Sequence, residues 1–272
     1  MIAGILGWLT DPANRSDIIG QTLAHLRFSV LAVVVAALIA IPLGLWIGHT
    51  GRGKIVAVTL TGAARAIPTL GLLFLIVLVI GPHVSGDLAF SLPSEIVLVV
   101  LAIPPILSGT YAGIDEVDPA ARDAAKGMGM RGWEVLRKVE IPCALPLFLS
   151  GLRSAFLQVI ATATIAASVG LDGLGRFLID GQAVRDYDQM ASGAVLVALL
   201  AIVVDLLLAL VQRLVVSPGL SGRAGRGRRG NTRSDDDAGT TDPTTDARTA
   251  DAAGTSRDRD ETLVTTTTAS EI

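Results

Sequence analysis

Few residues of this 272-residue chain are equipped for covalent chemistry. The three histidines, His25, His49 and His83, fall at the ends of apolar segments and share no site. Cys143, the only cysteine, excludes an internal disulfide and a cysteine-based metal cluster. No Gly-x-Ser-x-Gly or His-Glu-x-x-His pattern occurs, nor a complete phosphate loop ending in Gly-Lys-Ser/Thr, so a membrane-embedded enzyme has no visible nucleophile, metal or phosphate site. Two charges stand deep inside apolar segments, Arg65 and Asp205. Ionisable groups in lipid are costly, and they find partners or line a path for water or solute. Each lies roughly ten residues from one end of its apolar segment, on the same side of the membrane. An Arg65–Asp205 pair is therefore the first expectation, and a place along a solute path the second. Arg153 lies near the end of its own segment, where it can snorkel to the surface, and it is assigned no function.

The segment 115–146 is unusual for a connection between apolar segments, being long and rich in Ala and Gly. Asp118 and Pro119 suit an N-cap and a first helical position. Ala120, Ala121, Ala124 and Ala125 then make a small-sided helix that Gly127 and Gly129 end, and a second short helix is predicted over 132–139. Small side chains let a helix press into a groove of another protein, and a glycine turn sets the angle of the next helix.

The elements that must position these residues are read from composition. The chain is 51% hydrophobic, 17% charged and 4% aromatic, too apolar and charge-poor for an ordinary soluble domain. About 20 apolar residues cross the hydrocarbon core, and five segments approach or exceed that: 28–48, 55–80, 92–114, 147–169 and 193–216. Lys and Arg gather in short cytoplasmic loops. Arg52 and Lys54, then Arg122, Lys126, Arg131, Arg137 and Lys138, then Arg223, Arg226, Arg228, Arg229 and Arg233 all fall on one side of a five-span arrangement. Only Arg15, Arg27, Arg176 and Arg185 fall on the other. The N-terminus is placed outside and the C-terminus in the cytoplasm of a multi-pass cell-membrane protein. Pro42, Pro68, Pro104 and Pro105 lie within spans, where kinks are tolerated beside neighbours or a water-lined cavity.

The fold class expected is all-α, a polytopic membrane protein of about five transmembrane helices. It divides into an extracellular N-terminal segment 1–27, a transmembrane domain 28–216 and a disordered cytoplasmic tail 217–272. In segment 1–27, Ile2, Ile5, Leu6 and Leu9 share one helical face, which suits a short helix at the membrane interface. The net charge of −3 conceals the change at the tail: residues 1–233 hold 19 Lys and Arg against 15 Asp and Glu, and residues 234–272 hold 3 against 10. The tail lacks the apolar residues to offset its ordering entropy. Its basic stretch suits anionic membrane lipids, and the acidic run beyond it argues against nucleic acid.

The loop resembles the coupling loop of ABC importer permeases, patterned Glu-Ala-Ala, three residues, Gly, nine residues, Ile-x-Leu-Pro. Here Asp123, Ala124, Ala125, Gly129, Val139, Ile141 and Pro142 stand at those spacings, with Asp for Glu, Val for Ile and Ile for Leu. Finer details resemble the osmoprotectant permeases: Arg65-Ala66-Ile67-Pro68-Thr69-Leu70, Tyr111-Ala112-Gly113-Ile114, Gly127-Met128-Gly129-Met130, and Thr162-Ala163-Thr164-Ile165-Ala166 leading to Gly173-Leu174-Gly175. The resemblance implies a translocation path for a compatible solute such as glycine betaine, choline, carnitine or proline betaine. It also implies an ABC ATPase subunit that docks on the loop and binds the ATP, so that this chain needs no cofactor of its own. A second permease subunit, the same or related, and an extracellular substrate-binding protein complete the implied set. The alternatives are another small solute such as an amino acid, or a non-transporting membrane scaffold. The spans hold few aromatics, chiefly Phe28, Trp46, Phe74 and Phe156, too few for a quaternary-ammonium cage, so selectivity is expected to rest with the binding protein.

Overall fold

The computed structural model describes residues 2–86 and 88–216, the Arg65 side chain excepted. The tail expected to be disordered lies outside the described residues. Within them every regular element is helical: α1 (Ile2–Thr10), α2 (Arg15–Thr50), α3 (Lys54–Ala66), α4 (Thr69–Ile80), α5 (Leu88–Asp115), α6 (Pro119–Gly127), α7 (Gly132–Val135), α8 (Ile141–Ala166), α9 (Gly175–Val184) and α10 (Tyr187–Val215). Four stretches, 15–50, 88–115, 132–169 and 187–215, are each long and apolar enough to cross a membrane alone. The helices α3 and α4 reach that standard only together, bent by 91°.

Packing decides how the bent pair counts. Gly44 of α2 lies against Leu107 and Thr110 of α5, and Gly48 against Tyr111 and Ile114, so residue numbers rise together and the two helices run parallel. The chain must therefore return to its starting side between them, and α3 with α4 makes one crossing. The helix α8 runs back against α5, with Gly151 beside Pro105 and Gly109, and Ala144 beside Gly113. Opposite in direction to α8 runs α10, where Gln212 Nε2 donates to the Pro146 carbonyl and Arg153 meets Asp205. Five crossings result, as the hydropathy of the sequence predicts.

Small residues set the closeness of the bundle. A Cβ on Gly109 would lie 2.8 Å from the Gly151 Cα, and one on Gly151 would lie 2.6 Å from the Pro105 carbonyl oxygen, so α5 and α8 touch backbone to backbone. That is the packing available to membrane helices, which lack a hydrophobic drive to associate in lipid. Ala32, Ala36 and Ala40 of α2 are fully buried beside Val97, Leu98 and Leu101 of α5. On α10, Leu199, Ile202, Leu206 and Leu210 recur at helical spacing and stay exposed, a face suited to lipid.

The prolines divide into two kinds. At Pro68 the helix breaks: Ile67 takes φ −71° and ψ 125°, the extended conformation that a following proline imposes. At Pro105 the helix continues although proline has no N–H for the Leu101 carbonyl four residues back. That carbonyl instead accepts from Gln158 Nε2 of α8 at 3.1 Å, the kind of repair by a neighbouring helix that lets proline persist in membranes.

Two expectations change at the ends of elements. The first spanning helix begins at Arg15, well before residue 28, and its outer turns pack inward, His25 being buried with Nε2 3.1 Å from the Ile160 carbonyl oxygen. The second short helix of the loop is not separate. From α7 the chain continues through a π turn (Leu136–Glu140) directly into α8, so residues 132–169 form one continuous helical stretch. The N-terminal α1 packs on the far end of the bundle, where Trp8 meets Phe177 edge to face at 5.1 Å.

Candidate functional site

The loop of segment 115–146 forms a compact bracket at the end of the bundle where α2, α5 and α8 meet. Asp118 caps α6, its carboxylate accepting from the Ala120 N–H at 2.9 Å, and Pro119 takes the first helical position as expected. The helix ends at Gly127. Gly129 then turns the chain with φ +84°, and a Cβ there would meet nothing within 4 Å. Glycine is needed at this position for backbone conformation and not for space. Arg131 opens α7, its N–H donating to Glu134 Oε2 at 3.0 Å, while Lys138 Nζ holds the other oxygen at 3.2 Å.

The pattern residues fall on opposite faces of this bracket. Asp123 and Ala124 face outward, the Asp123 side chain 78% exposed with only a loose 3.9 Å contact to Lys126. Met128 and Trp133 are also large and largely exposed, Trp133 lining a cavity with Pro42, Trp46 and His49 of α2. Ala125 faces inward and is buried. Ile141 packs on the cluster of Ile114, Leu136 and Ala144, Val139 is half-buried and Pro142 is exposed. Asp123-Ala124-Ala125 thus straddles the boundary between a free surface and the body of the protein.

The inner face holds a charge cluster that no pattern names. Glu140, 2% exposed at the end of the π turn, has both oxygens engaged. Oε2 accepts from His49 Nδ1 of α2 at 2.6 Å; with a carboxylate as acceptor, that nitrogen carries the proton. Oε1 lies 3.0 Å from Arg122 Nε of α6, an ionic contact without hydrogen-bond direction. Arg122 also donates through its terminal nitrogen to the Ile114 carbonyl in the last turn of α5, one of the carbonyls a helix end leaves free. Lys54 of α3 pairs with Asp115 nearby at 2.6 Å. The sequence carried a faint signal for Glu140, an acid inside the otherwise apolar end of the coupling pattern. It carried none for His49 as its partner, 91 residues away.

Within the spans Asp205 pairs with Arg153, and the side chain of Arg65, the partner expected for it, lies outside the described residues. The Arg153 guanidinium donates to both carboxylate oxygens in a bidentate pair between α8 and α10. This corrects one expectation, the idle, snorkelling Arg153, and gives Asp205 a partner that the sequence reading did not name. The reason is register: α8 and α10 run antiparallel in direct contact, which brings these two positions to one level, a relation that depth along separate spans does not reveal. Glu95 of α5 was passed over as well. Both its oxygens are shielded and lack a hydrogen-bond partner among the described residues, and the signal available was a lone acid inside an apolar segment. Between α5 and α8 a cleft of about 280 Å³ is lined in part by Ser108, Tyr111, Ser150 and Ser154, a line of hydroxyls in an apolar bundle. Phe28 and Phe156 pack into the core while Trp46 and Phe74 are exposed, so these four rings do not converge.

Residues 40–217 match the family of binding-protein-dependent transport system inner membrane components. The chain is 32% identical to the glycine betaine/carnitine/choline transport system permease protein OpuCB of Bacillus subtilis, over 77% of this chain and 93% of the relative. It is 35% identical to the osmoprotectant import permease protein OsmW of Salmonella typhimurium, over 76% and 95% of the two chains, and 34% identical to the carnitine transport permease protein OpuCD of Listeria monocytogenes, over 74% and 87%. Among solved structures, a chain of an inward-facing form of the MetNI methionine ABC transporter superposes with a TM-score of 0.67 at 18% identity, covering 76% of this chain and all of the other, a likeness of fold. With the loop's spacing, the five crossings and these relatives in agreement, the chain belongs to the binding-protein-dependent transport system inner membrane components and is a permease subunit, not an enzyme.

Proposed function

We propose that the chain forms the membrane path of an ATP-driven importer for a compatible solute of the glycine betaine, choline, carnitine or proline betaine class. A separate ATPase subunit binds the ATP and docks on the outward face of the loop, at Asp123 and Ala124. A binding protein delivers the solute at the opposite end of the bundle. The loop end is cytoplasmic and the N-terminus is outside, which the concentration of Lys and Arg at the loop end supports. A second copy, or a related permease, completes the path.

The observation that carries this reading is the division of the Asp123-Ala124-Ala125 helix, with one face built into the bundle and the other left free, small and uncharged apart from Asp123 and Lys126. A helix of that kind offers close approach to a groove and a fixed lever behind it. The class of solute is supported by what the relatives are named for, glycine betaine, carnitine and choline. The separation of Phe28 and Phe156 in the core from the exposed Trp46 and Phe74 is consistent with selectivity held by the binding protein.

The test is reconstitution in liposomes with the cognate ATPase and binding protein. Labelled glycine betaine, choline and carnitine should accumulate only with ATP and the binding protein, and unlabelled members of the class should compete. Accumulation of an amino acid in their place would move the chain to the alternative substrate class. ATP hydrolysis by the isolated chain would overturn the reading altogether.

A further inference from the structure

A permease driven by a separate ATPase must carry movement from its loop to its spans, and a loop of short helices joined by glycine turns does not do so unless it is fastened. The buried polar fastening of the loop converges on one side chain. Glu140 is 2% exposed, and its two oxygens reach two different elements, His49 at the end of α2 and Arg122 in α6. Arg122 continues the connection to the last turn of α5 through the Ile114 carbonyl. Glu140 itself sits in the π turn through which the loop becomes α8. One carboxylate therefore joins the loop helix to the ends of three spans. Breaking a buried charge network by removing one member leaves the remaining charges without compensation, so such a group holds its neighbours in one geometry. Turns of π geometry are themselves frequent at functional places in helices. The apolar cluster beneath, Leu136 and Ile141 on Ile114 and Ala144, holds the base of the bracket and contains no residue of α6, which adds only the small Ala125 to the buried face.

We infer that Glu140, with His49 and Arg122, is the positioning site that makes α6 and the ends of α2, α5 and α8 a single rigid lever, so that displacement of the loop by the ATPase moves the spans. The inference rests on the loop being the ATPase-docking element. It adds a specific requirement: without Glu140 the ATPase still docks and hydrolyses, but hydrolysis no longer moves solute.

Two measurements on the full complex test it. The first is the ratio of solute accumulated to ATP hydrolysed for native protein, Glu140→Gln, His49→Ala and Arg122→Lys. A several-fold fall of the ratio in Glu140→Gln and His49→Ala, with ATP hydrolysis retained and Arg122→Lys closer to native, is the expected result; uptake and hydrolysis falling together at constant ratio would overturn the inference. The second needs no solute. Spin labels at Thr50→Cys and Ala120→Cys, both exposed positions, in a Cys143→Ala background report the distance between the end of α2 and the loop helix. A narrow distribution that broadens in Glu140→Gln supports the lever, and one identical to native overturns it. A broadened distance with an unchanged ratio also overturns it, because the clamp would then hold the loop without transmitting its motion. Should Glu140→Gln fail to reach the membrane folded, His49→Ala, which leaves the Arg122 contact in place, is read by the same criteria. If the native complex shows no ATP-driven uptake, the proposed function fails, while the distance measurement still decides whether Glu140 fastens the loop.

Discussion

The two faces of the loop differ in how they are held. On the outer face Asp123 reaches only Lys126 at 3.9 Å and Ala124 is exposed. On the inner face Ala125, Val135, Leu136 and Glu140 are buried, and Glu140 is held from two sides. Both faces are needed in an element that receives a push and delivers it, but they obey different physics. The outer face must stay unsatisfied until a partner arrives, so its residues are exposed and at most loosely paired. The inner face must already be satisfied, because a buried charge without partners is costly. A substitution on the outer face should accordingly spoil docking in a folded protein, whereas one on the inner face should spoil the packing of the loop or its hold on the spans.

The sharpest way to break that comparison is at Gly129, which belongs to neither face and sets the angle between them. Gly129→Leu would force a side chain into the left-handed region, at a cost of about 1–2 kcal/mol. The loop should then re-form its turn elsewhere and abolish uptake while membrane insertion continues. Uptake by whole cells beside a count of inserted protein checks this, and normal uptake would remove Gly129 from the coupling pattern. The neighbours Ala124 and Ala125 provide the direct contrast. Ala125→Leu overpacks a buried position, a change that typically costs about 1–3 kcal/mol, and should lower folded yield. Ala124→Leu on the exposed face should leave yield unchanged and weaken co-purification of the ATPase. Equal effects from the two would deny that the faces differ.

The Arg153–Asp205 pair extends the comparison to a place that does not touch the loop. Arg153→Leu or Asp205→Leu alone strands a charge between α8 and α10 and should reduce folded yield, and the double replacement should recover it, as happens when a paired charge is removed whole. Uptake per folded molecule should stay near native in all three. A double variant that folds normally but transports poorly would place the pair on the solute path instead. The smallest effect is expected from deleting residues 222–272, whose composition offers neither apolar periodicity nor a site. Loss of uptake at normal expression would reveal a role that composition conceals.

Sequence alone determined the crossings, the loop and the family, because those depend on quantities written locally along the chain. Apolar runs of spanning length, the clustering of Lys and Arg, and Asp118-Pro119 before a run of alanines are each legible from neighbours in sequence. Gly129 belongs with them, since a turn between helices calls for glycine through its own φ. What lay beyond reach depended on which residues of distant segments come to one level. The 91° bend at Pro68 inside a single crossing is seen only in the packed helices. Pro105 leaves its helix unbroken only because Gln158 of another span supplies the missing donor. Asp205 takes Arg153, and Glu140 takes His49 and Arg122, through contacts between helices. The physical reason is the same in each case. A buried polar group must be satisfied by some partner, but its identity is set by helix direction and register in the packed bundle, which only the tertiary structure decides.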